Sequence, residues 1–111
     1  MKMIKVMLKP ERFQFVKKAL EDNEFVSMTI TEVKGRGEQK GISLAYRGGY
    51  MTIDMLQKIQ IEMVVKEKDV DAVVKTLSKS AYTGSNGDGR IFISPVETAI
   101  RIRTGEMEAL L

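Results

Sequence analysis

An apolar stripe with helical spacing is the feature that most constrains how this chain can fold. Its members recur at i, i+3, i+4, i+7 and i+11, at Val70, Val73, Val74, Leu77 and Ala81. Acidic residues stand near its start, where the helix dipole favours negative charge, at Glu67, Asp69 and Asp71. The spacing predicts an amphipathic helix over residues 70–81, and one face of that helix must be buried against another part of the chain.

Strand-like segments lie on both sides of this helix. Residues 58–65 alternate polar and apolar side chains and then become wholly apolar, as a central strand does under a covering layer. Residues 90–96 are rich in β-forming side chains, and Pro95 places that strand near an edge or an end of its sheet. The second half is therefore predicted to run strand, helix, strand.

The first half shows the same order of patterns. Residues 3–9 alternate and predict a strand that Pro10 ends. A helical stripe follows at Phe13, Val16, Ala19 and Leu20. Residues 10–22 are therefore predicted to form a helix with Pro10 in its first turn. Residues 25–34 combine apolar side chains with threonines and predict a second strand, bounded by Gly35.

The order βαββαβ predicts a ferredoxin-like α+β fold, a four-stranded antiparallel sheet with two helices on one face. The chain has 111 residues, which is the size of a single domain, so residues 1–111 are assigned to one. Residues 100–103 are a candidate for a short fifth strand. An isolated protomer would leave the second face of the sheet bare, and this predicts oligomerisation through that face.

Composition narrows the possible functions. The chain contains no histidine, cysteine or tryptophan, which excludes thiol nucleophiles, imidazole bases and disulfides. Catalysis by carboxylates, or by a metal ion held by Asp and Glu, stays open. The net charge of +3 is mild and favours an anionic ligand only slightly. No apolar run approaches the ~20 residues that cross a bilayer, and the charged start does not resemble a signal peptide. We expect a cytoplasmic protein without direct membrane insertion.

Residues 35–54 show no sustained period of either kind and contain five of the nine glycines, at positions 35, 37, 41, 48 and 49. Loops longer than about 12 to 15 residues are uncommon in small domains unless they are functional or disordered. This stretch carries arginines, lysine and tyrosines rather than low-complexity filler. We predict a mobile functional loop here.

A second glycine-rich segment, residues 83–90, precedes a closely spaced pair, Arg101 and Arg103. Exposed backbone amides and planar guanidinium donors together suit a phosphate group. Alternation in residues 100–103 would aim both arginines to one side of an extended chain. Each feature alone also fits a plainer interpretation, an ordinary connection for the glycines and a solvated edge strand for the arginines.

Several motifs in order resemble those of the PII nitrogen-regulatory signal transducers. They are Gly35-Arg36-Gly37-Glu38-Gln39-Lys40-Gly41, Tyr46-Arg47-Gly48, Thr83-Gly84 through Gly87-Asp88-Gly89-Arg90-Ile91-Phe92, and Arg101-Ile102-Arg103-Thr104-Gly105-Glu106. The similarity covers nearly the whole chain, including Met28-Thr29 and residues 58–62. It implies a homotrimer with a T-loop at about residues 36–54, a B-loop at about 82–90 and a C-terminal segment at about 97–111.

The resemblance also implies ligand sites in clefts between subunits. ATP or ADP would be bound by Thr29, Gly35, Arg36, Gly37, Glu62, Val64, Gly87, Asp88, Gly89, Arg90, Arg101 and Arg103. The effector 2-oxoglutarate would be held by Gln39, Lys40, Gly41 and Lys58. Gln39 would coordinate Mg²⁺ with oxygens of ATP and 2-oxoglutarate, in keeping with the oxygen preference of that ion. No residue is assigned a catalytic role, and the chain is expected not to be an enzyme.

The T-loop would then carry the signal to target proteins. The family implies targets such as an Amt-type ammonium transporter, glutamine synthetase or nitrogenase, with Tyr46, Arg47 and Tyr50 as contacts; the two tyrosines fit solvated loop residues equally well. Many bacterial members are uridylylated on a tyrosine one position later than Tyr50, so we do not expect that modification here. Arg90 replaces the more common lysine, which keeps the charge and changes the donor geometry.

Two other functions fit less of the sequence. A ferredoxin-like phosphohydrolase resembling the acylphosphatases would also use arginine and backbone amides, but the chain has no clear residue to position the attacking water. An RNA-binding sheet of the RRM type would need stacking aromatics at the RNP positions of its strands, and these are missing. We therefore expect no nucleic-acid partner.

Overall fold

The computed structural model describes residues 1–36, 42–46, 49–53 and 55–108. Two α-helices and six strands occur in these ranges. In chain order they are β1 (Lys2–Leu8), α1 (Phe13–Asp22), β2 (Thr29–Gly35), β3 (Ile42–Tyr46), β4 (Gly49–Ile53), β5 (Leu56–Val65), α2 (Val70–Ala81) and β6 (Arg90–Pro95). A single 3-10 turn leads into each helix, at Pro10–Arg12 and Glu67–Asp69.

The main sheet has the strand order β2-β5-β1-β6, and all its neighbours are antiparallel. The two interior strands, β1 and β5, each lead directly into a helix. Edge strand β6 ends at Pro95, where a missing backbone donor does least harm to the ladder. The predicted ferredoxin-like α+β fold is therefore confirmed.

The core lies between one face of this sheet and the two helices. Alternate side chains of the interior strands are buried, as the two-residue period of a strand requires. These are Ile4, Val6 and Leu8 from β1, and Ile61, Met63 and Val65 from β5. Helix α1 contributes Val16 and Leu20, and α2 contributes Val73, Leu77 and Ala81. Both predicted stripes thus pack on the same side of the sheet.

The other face of the main sheet carries a mixed surface. One row across it runs Thr29, Glu62, Lys5 and Phe92, as the strand registers dictate. The side chain of Phe92 remains 48% exposed, and that of Val64 39% exposed. Among the described residues, the buried core is confined to the helix side, so this second face has apolar area that the single chain leaves in contact with solvent.

The prediction for residues 35–54 was wrong in one respect. Strands β3 and β4 pair antiparallel in a separate two-stranded sheet, with Ile42 opposite Ile53 and Tyr46 opposite Gly49. Each strand is only five residues long, which is too short for a clear alternation to stand out in a glycine-rich stretch of sequence. Residues 37–41, 47–48 and 54 lie outside the described residues.

The predicted fifth strand over residues 100–103 was also wrong. Ile100 makes only an isolated bridge to Met107, and a turn follows Arg101. The turn is closed by hydrogen bonds from the Gly105 amide to the Arg101 carbonyl at 2.8 Å and from the Arg101 amide to the Glu106 carbonyl at 2.9 Å. The chain reverses instead of extending, so the predicted alternation of the two arginines does not apply.

None of the helices in the described residues is long and apolar enough to cross a membrane.

Candidate functional site

The glycine-rich loop, residues 82–89, connects the end of α2 to β6. Helix α2 ends at Ala81, and Tyr82 is already extended with φ −67° and ψ 128°. Gly87 has a φ of +89° and Gly89 a φ of +101°, a region that other residues rarely adopt. A β-carbon on Gly89 would also overlap the carbonyl oxygen of Met7 in β1. Glycine at this position therefore lets the loop lie directly against the sheet.

The carboxylate of Asp88 closes the loop on itself. It accepts hydrogen bonds from the Thr83 hydroxyl, from the Thr83 amide at 2.9 Å and from the Gly84 amide at 3.0 Å. The Thr83 side chain and backbone, then the Gly84 amide and Lys9, hold the pKa of Asp88 well below its usual range. The side chain of Asp88 is therefore engaged within the loop, and a role of this residue at a ligand stays a prediction.

Two lysines tie the loop to the sheet. The ammonium of Lys9, directly after β1, lies 2.7 Å from the Ser85 hydroxyl, 3.0 Å from the Thr83 hydroxyl and 3.2 Å from the Asp88 carboxylate. The ammonium of Lys58, in β5, donates to the Gly87 carbonyl oxygen at 2.7 Å. Lys58 was among the predicted ligand-binding residues, whereas Lys9 was missed.

A cleft of about 630 Å³ lies between this loop and the end of β2. It brings together seven of the predicted site residues: Gly35, Arg36, Lys58, Gly87, Asp88, Gly89 and Arg90. Its other lining residues are Met7, Leu56, Ser85, Asn86 and Phe92. Arg36, Lys58 and Arg90 give the cleft a positive lining, and its one carboxylate, Asp88, is paired with Lys9. Such a lining suits an anion.

Five predicted nucleotide-binding residues do not line the cleft of their own chain. Thr29 and Glu62 face each other across β2 and β5 on the open face of the sheet, with Val64 two positions along. The Glu62 carboxylate accepts a hydrogen bond from Gln60 at 2.7 Å. Arg101 and Arg103 are exposed on the C-terminal turn, where Arg101 pairs with Glu108 at 3.0 Å. The single chain therefore holds these five residues in two places, both apart from the cleft.

The remaining predicted residues belong mostly to the undescribed part of the chain. Gly37, Gln39, Lys40, Gly41 and Arg47 lie outside the described residues. Tyr46 ends β3, and Tyr50 lies in β4, where Ala45 is its partner. Within the described ranges, no three Asp or Glu side chains are grouped so that they could hold a metal ion.

Comparison with known proteins agrees with the motifs. The family model described as nitrogen regulatory protein P-II matches residues 1–106. The nitrogen regulatory protein P-II 2 of Methanothermobacter thermautotrophicus is 54% identical over 106 residues, which cover 96% of this chain and 92% of that protein. The P-II protein of Synechocystis sp. is 48% identical over 108 residues, covering 97% and 96%. That of Microchaete diplosiphon is 47% identical over 106 residues, covering 96% and 95%. The resemblance seen in the motifs is confirmed, and the chain belongs to the PII family of nitrogen regulatory proteins.

Proposed function

We propose that this chain senses ATP or ADP together with 2-oxoglutarate, and controls target proteins of nitrogen metabolism through residues 36–54. The observation that carries the proposal is the cleft between the glycine-rich loop and the end of β2. Gly35 and Arg36 line this cleft at the point where the chain leaves the main sheet toward β3. A ligand bound there would touch the root of the signalling segment.

A nucleotide polyphosphate fits the charge of the cleft. Arg36, which follows β2, lines it together with Lys58 of β5 and Arg90 of β6. Hydrogen bonds to charged groups contribute roughly 1.5 to 3 kcal/mol each, and micromolar affinity requires about 8 kcal/mol. Three such cations therefore supply too little free energy for micromolar affinity once the entropy lost on binding is subtracted. We expect further positive charge from residues other than these three.

The additional charge is proposed to come from a neighbouring copy of the chain. Arg101 and Arg103 are exposed and do not line the cleft of their own chain, so they would serve a second copy, with Arg101 giving up its ion pair with Glu108. The half-exposed Phe92 and Val64 give the open sheet face an apolar surface that association would cover. In the proposed homotrimer, each nucleotide lies in a cleft between two subunits, with Thr29, Glu62 and Val64 near its adenine and ribose.

The second effector is proposed to bind beside the nucleotide. Lys58 lines the cleft, and its ammonium would donate to a carboxylate of 2-oxoglutarate. Gln39, with oxygens of ATP and of the keto acid, would complete the shell of a Mg²⁺ ion, which commonly shares its ligands with nucleotide phosphates. Lys40 and Gly41 would hold the rest of the keto acid.

The output is proposed to be the conformation of residues 36–54. Fixing a backbone costs on the order of 1 to 2 kcal/mol per residue, so a few ligand contacts at its root can bias which conformers are populated. A target that binds one conformer would then respond to the nucleotide and to 2-oxoglutarate. Candidate targets are an Amt-type ammonium transporter, glutamine synthetase or nitrogenase, with Tyr46, Arg47 and Tyr50 in the contact. The ligands bias binding and are not turned over, so no enzymatic role is proposed.

Calorimetry on the purified protein tests the binding step. We expect ADP and ATP each to bind at micromolar concentration, and 2-oxoglutarate to bind only when ATP and Mg²⁺ are present. Arg103→Ala is expected to abolish nucleotide binding while the oligomer, measured by light scattering, persists. Absence of ADP and ATP binding at high micromolar concentration would refute the proposal, and so would steady release of phosphate from an acyl phosphate.

Affinity capture from the native host tests the signalling step. The immobilised protein is incubated with lysate in the presence of either ATP plus 2-oxoglutarate or ADP. Arg103→Ala, which is expected not to bind nucleotide, serves as the control. We expect a protein captured by the wild type in one ligand condition only, and lost with the variant. If the same proteins were captured in both ligand conditions, ligand binding in the cleft would not control target binding.

A further inference from the structure

The chain contains two matching junctions between an interior strand and a helix. Lys9 follows β1 and Lys66 follows β5, and each stands before the 3-10 turn that leads into a helix. Their backbones are nearly superimposable, with φ −66° and ψ 136° for Lys9 and φ −64° and ψ 146° for Lys66. The two lysines therefore have the same local role, and any difference between them comes from their surroundings.

Their side chains differ sharply in what they contact. The ammonium of Lys9 reaches 74 to 79 positions along the sequence to bind the Thr83 and Ser85 hydroxyls and the Asp88 carboxylate. Lys66 makes no side-chain hydrogen bond or ion pair with any residue that the structure describes. A strand-to-helix junction thus does not need such contacts, so those of Lys9 serve the glycine-rich loop.

The ion pair between Lys9 and Asp88 is less exposed to water than an ordinary surface pair. Its side chain is 16% exposed and that of Asp88 is 24% exposed, whereas the lysine and aspartate of the surface pair Lys18 and Asp22 are 77% and 61% exposed. Solvent and salt screen a shielded ion pair less than a surface pair. Because Asp88 also binds the Thr83 and Gly84 amides, one ammonium and one carboxylate together connect both ends of the loop to the end of β1.

The middle of the loop has backbone amides that are not used in hydrogen bonds with the described residues of the protein. In the part of the chain that the structure describes, the amides of Asn86 and Gly87 donate no hydrogen bond, and both residues line the cleft. A backbone that keeps such amides pointing at a ligand must be held from elsewhere, because its glycines favour many conformations. The contacts at Thr83, Ser85 and Asp88 lie on either side of these two amides.

We propose that Lys9 is a positioning residue for the phosphate-binding loop: with Asp88 it orders residues 83–89 before a ligand arrives, so that the loop amides are pre-organised for a phosphate group. The inference rests on the proposed nucleotide function for the identity of the ligand, while the ordering of the loop is a property of the protein alone. Lys9 acts through the loop and does not itself contact the phosphate. Part of the ordering cost is thereby met during folding, which strengthens binding.

Hydrogen exchange without any ligand tests the ordering. Lys9→Met keeps most of the aliphatic stem and removes the charge, and Lys66→Met makes the same change at the matching junction. We expect the amides of Thr83 and Gly84, which donate to the Asp88 carboxylate, to exchange at least about tenfold faster in Lys9→Met, the loss expected for one charge-assisted hydrogen bond. The amides of α1 and α2 should be unchanged, and Lys66→Met should match the wild type throughout. Unchanged exchange of the loop in a folded Lys9→Met protein would overturn the inference.

Calorimetry with ADP tests the effect on binding. We expect Lys9→Met and Asp88→Asn each to weaken ADP binding about 5- to 30-fold, and the double variant to be little worse than either, because the two side chains act as one unit. If Lys9→Met does not fold, the ADP affinity of Asp88→Asn still tests the inference. Weaker ADP binding by Lys9→Met with unchanged loop exchange would make Lys9 a direct ligand and overturn the positioning role. A wild-type protein that binds no ADP would refute the proposed function, and the exchange experiment would still decide whether Lys9 orders the loop.

Discussion

The ammonium of Lys58 lies 2.7 Å from the carbonyl oxygen of Gly87, so a side chain of β5 holds the backbone of the glycine-rich loop across the mouth of the cleft. An ammonium has three donors, and one is used here. Lys58 can therefore keep its contact with the loop and still donate to an anion in the cleft. This arrangement would link the position of the loop to the binding of a carboxylate.

Replacing Lys58 should affect the binding of the two proposed effectors to different extents. We expect Lys58→Met to weaken 2-oxoglutarate binding, measured by calorimetry in ATP and Mg²⁺, at least about tenfold, because a charge-assisted hydrogen bond is lost. ADP affinity should fall by a smaller factor, since Arg36 and Arg90 remain in the cleft. Lys34→Met, which removes an exposed lysine of β2 outside the cleft lining, is the matched control. Equal losses for the two ligands would mean that Lys58 acts only by holding the loop.

A methyl group on Gly89 should destabilise the fold. The residue has a φ of +101°, and its added β-carbon would overlap the Met7 carbonyl oxygen, so the start of β6 would have to move. Overpacking and an unfavourable φ together predict a loss of about 2 to 4 kcal/mol in the free energy of unfolding for Gly89→Ala, measured by urea denaturation. Gly35→Ala is the control, because no atom lies within 4 Å of its added β-carbon. Similar stabilities for the two variants would show that the loop can shift away from β1 at little cost.

The main sheet and both helices could be predicted because their signals are local. Each helix is indicated in the sequence by an apolar stripe whose side chains belong to the core, such as Val73, Leu77 and Ala81 in α2. The strands of the main sheet alternate over enough positions to be recognised, and Pro95 marks the edge. Predictions failed where the path of the chain depends on a single hydrogen-bonded turn. The reversal after Arg101 needs Gly105 at φ +73° and the amide contacts of the turn, and alternation in residues 100–103 gives no sign of it.

The candidate site was predictable only in part, for a related reason. Glycines and arginines indicate phosphate binding by their chemistry, which is why Gly87, Gly89 and Arg90 could be chosen from the sequence. Lys9 carries no such signal, because it is one lysine at the end of a strand, as Lys66 is, and no neighbouring residue indicates contact with the glycine-rich segment. Its partners are at least 74 residues away and come close only after β1 and β6 have paired.

The open face of the sheet should control self-association. Phe92 and Ile93 are adjacent in β6 and equally exposed, at 48% each, but point to opposite faces of the sheet. Phe92 lies in the row with Lys5 on the open face, and Ile93 is opposite the buried Ile4. We expect Phe92→Asp to leave monomers, measured by light scattering, where the wild type forms the proposed homotrimer, because a charge would be buried in the interface. Ile93→Asp should keep the oligomer. If both variants associate like the wild type, the interface lies elsewhere.

The contribution of Asp88 to stability should depend on pH. Hydrogen bonds from Thr83 and Gly84, with Lys9 nearby, hold the pKa of Asp88 below its usual range in the folded protein. In the unfolded chain an aspartate has a pKa of about 3.9. Folding therefore favours the ionised form, and the stability that this provides is fully present above the unfolded pKa and is lost as the pH falls through it toward the folded pKa.

Urea denaturation of the wild type and Asp88→Asn at a fixed protein concentration checks this prediction. The difference in the free energy of unfolding between them should be constant from about pH 7 to pH 5, and should shrink as the pH falls below about 4, because the unfolded wild-type chain then takes up a proton that the folded loop resists. Asp71→Asn, which removes an exposed carboxylate of α2, controls for the change in net charge. A difference between the wild type and Asp88→Asn that is as large at pH 3 as at pH 7 would show that the loop contacts of this side chain do not depend on its charge.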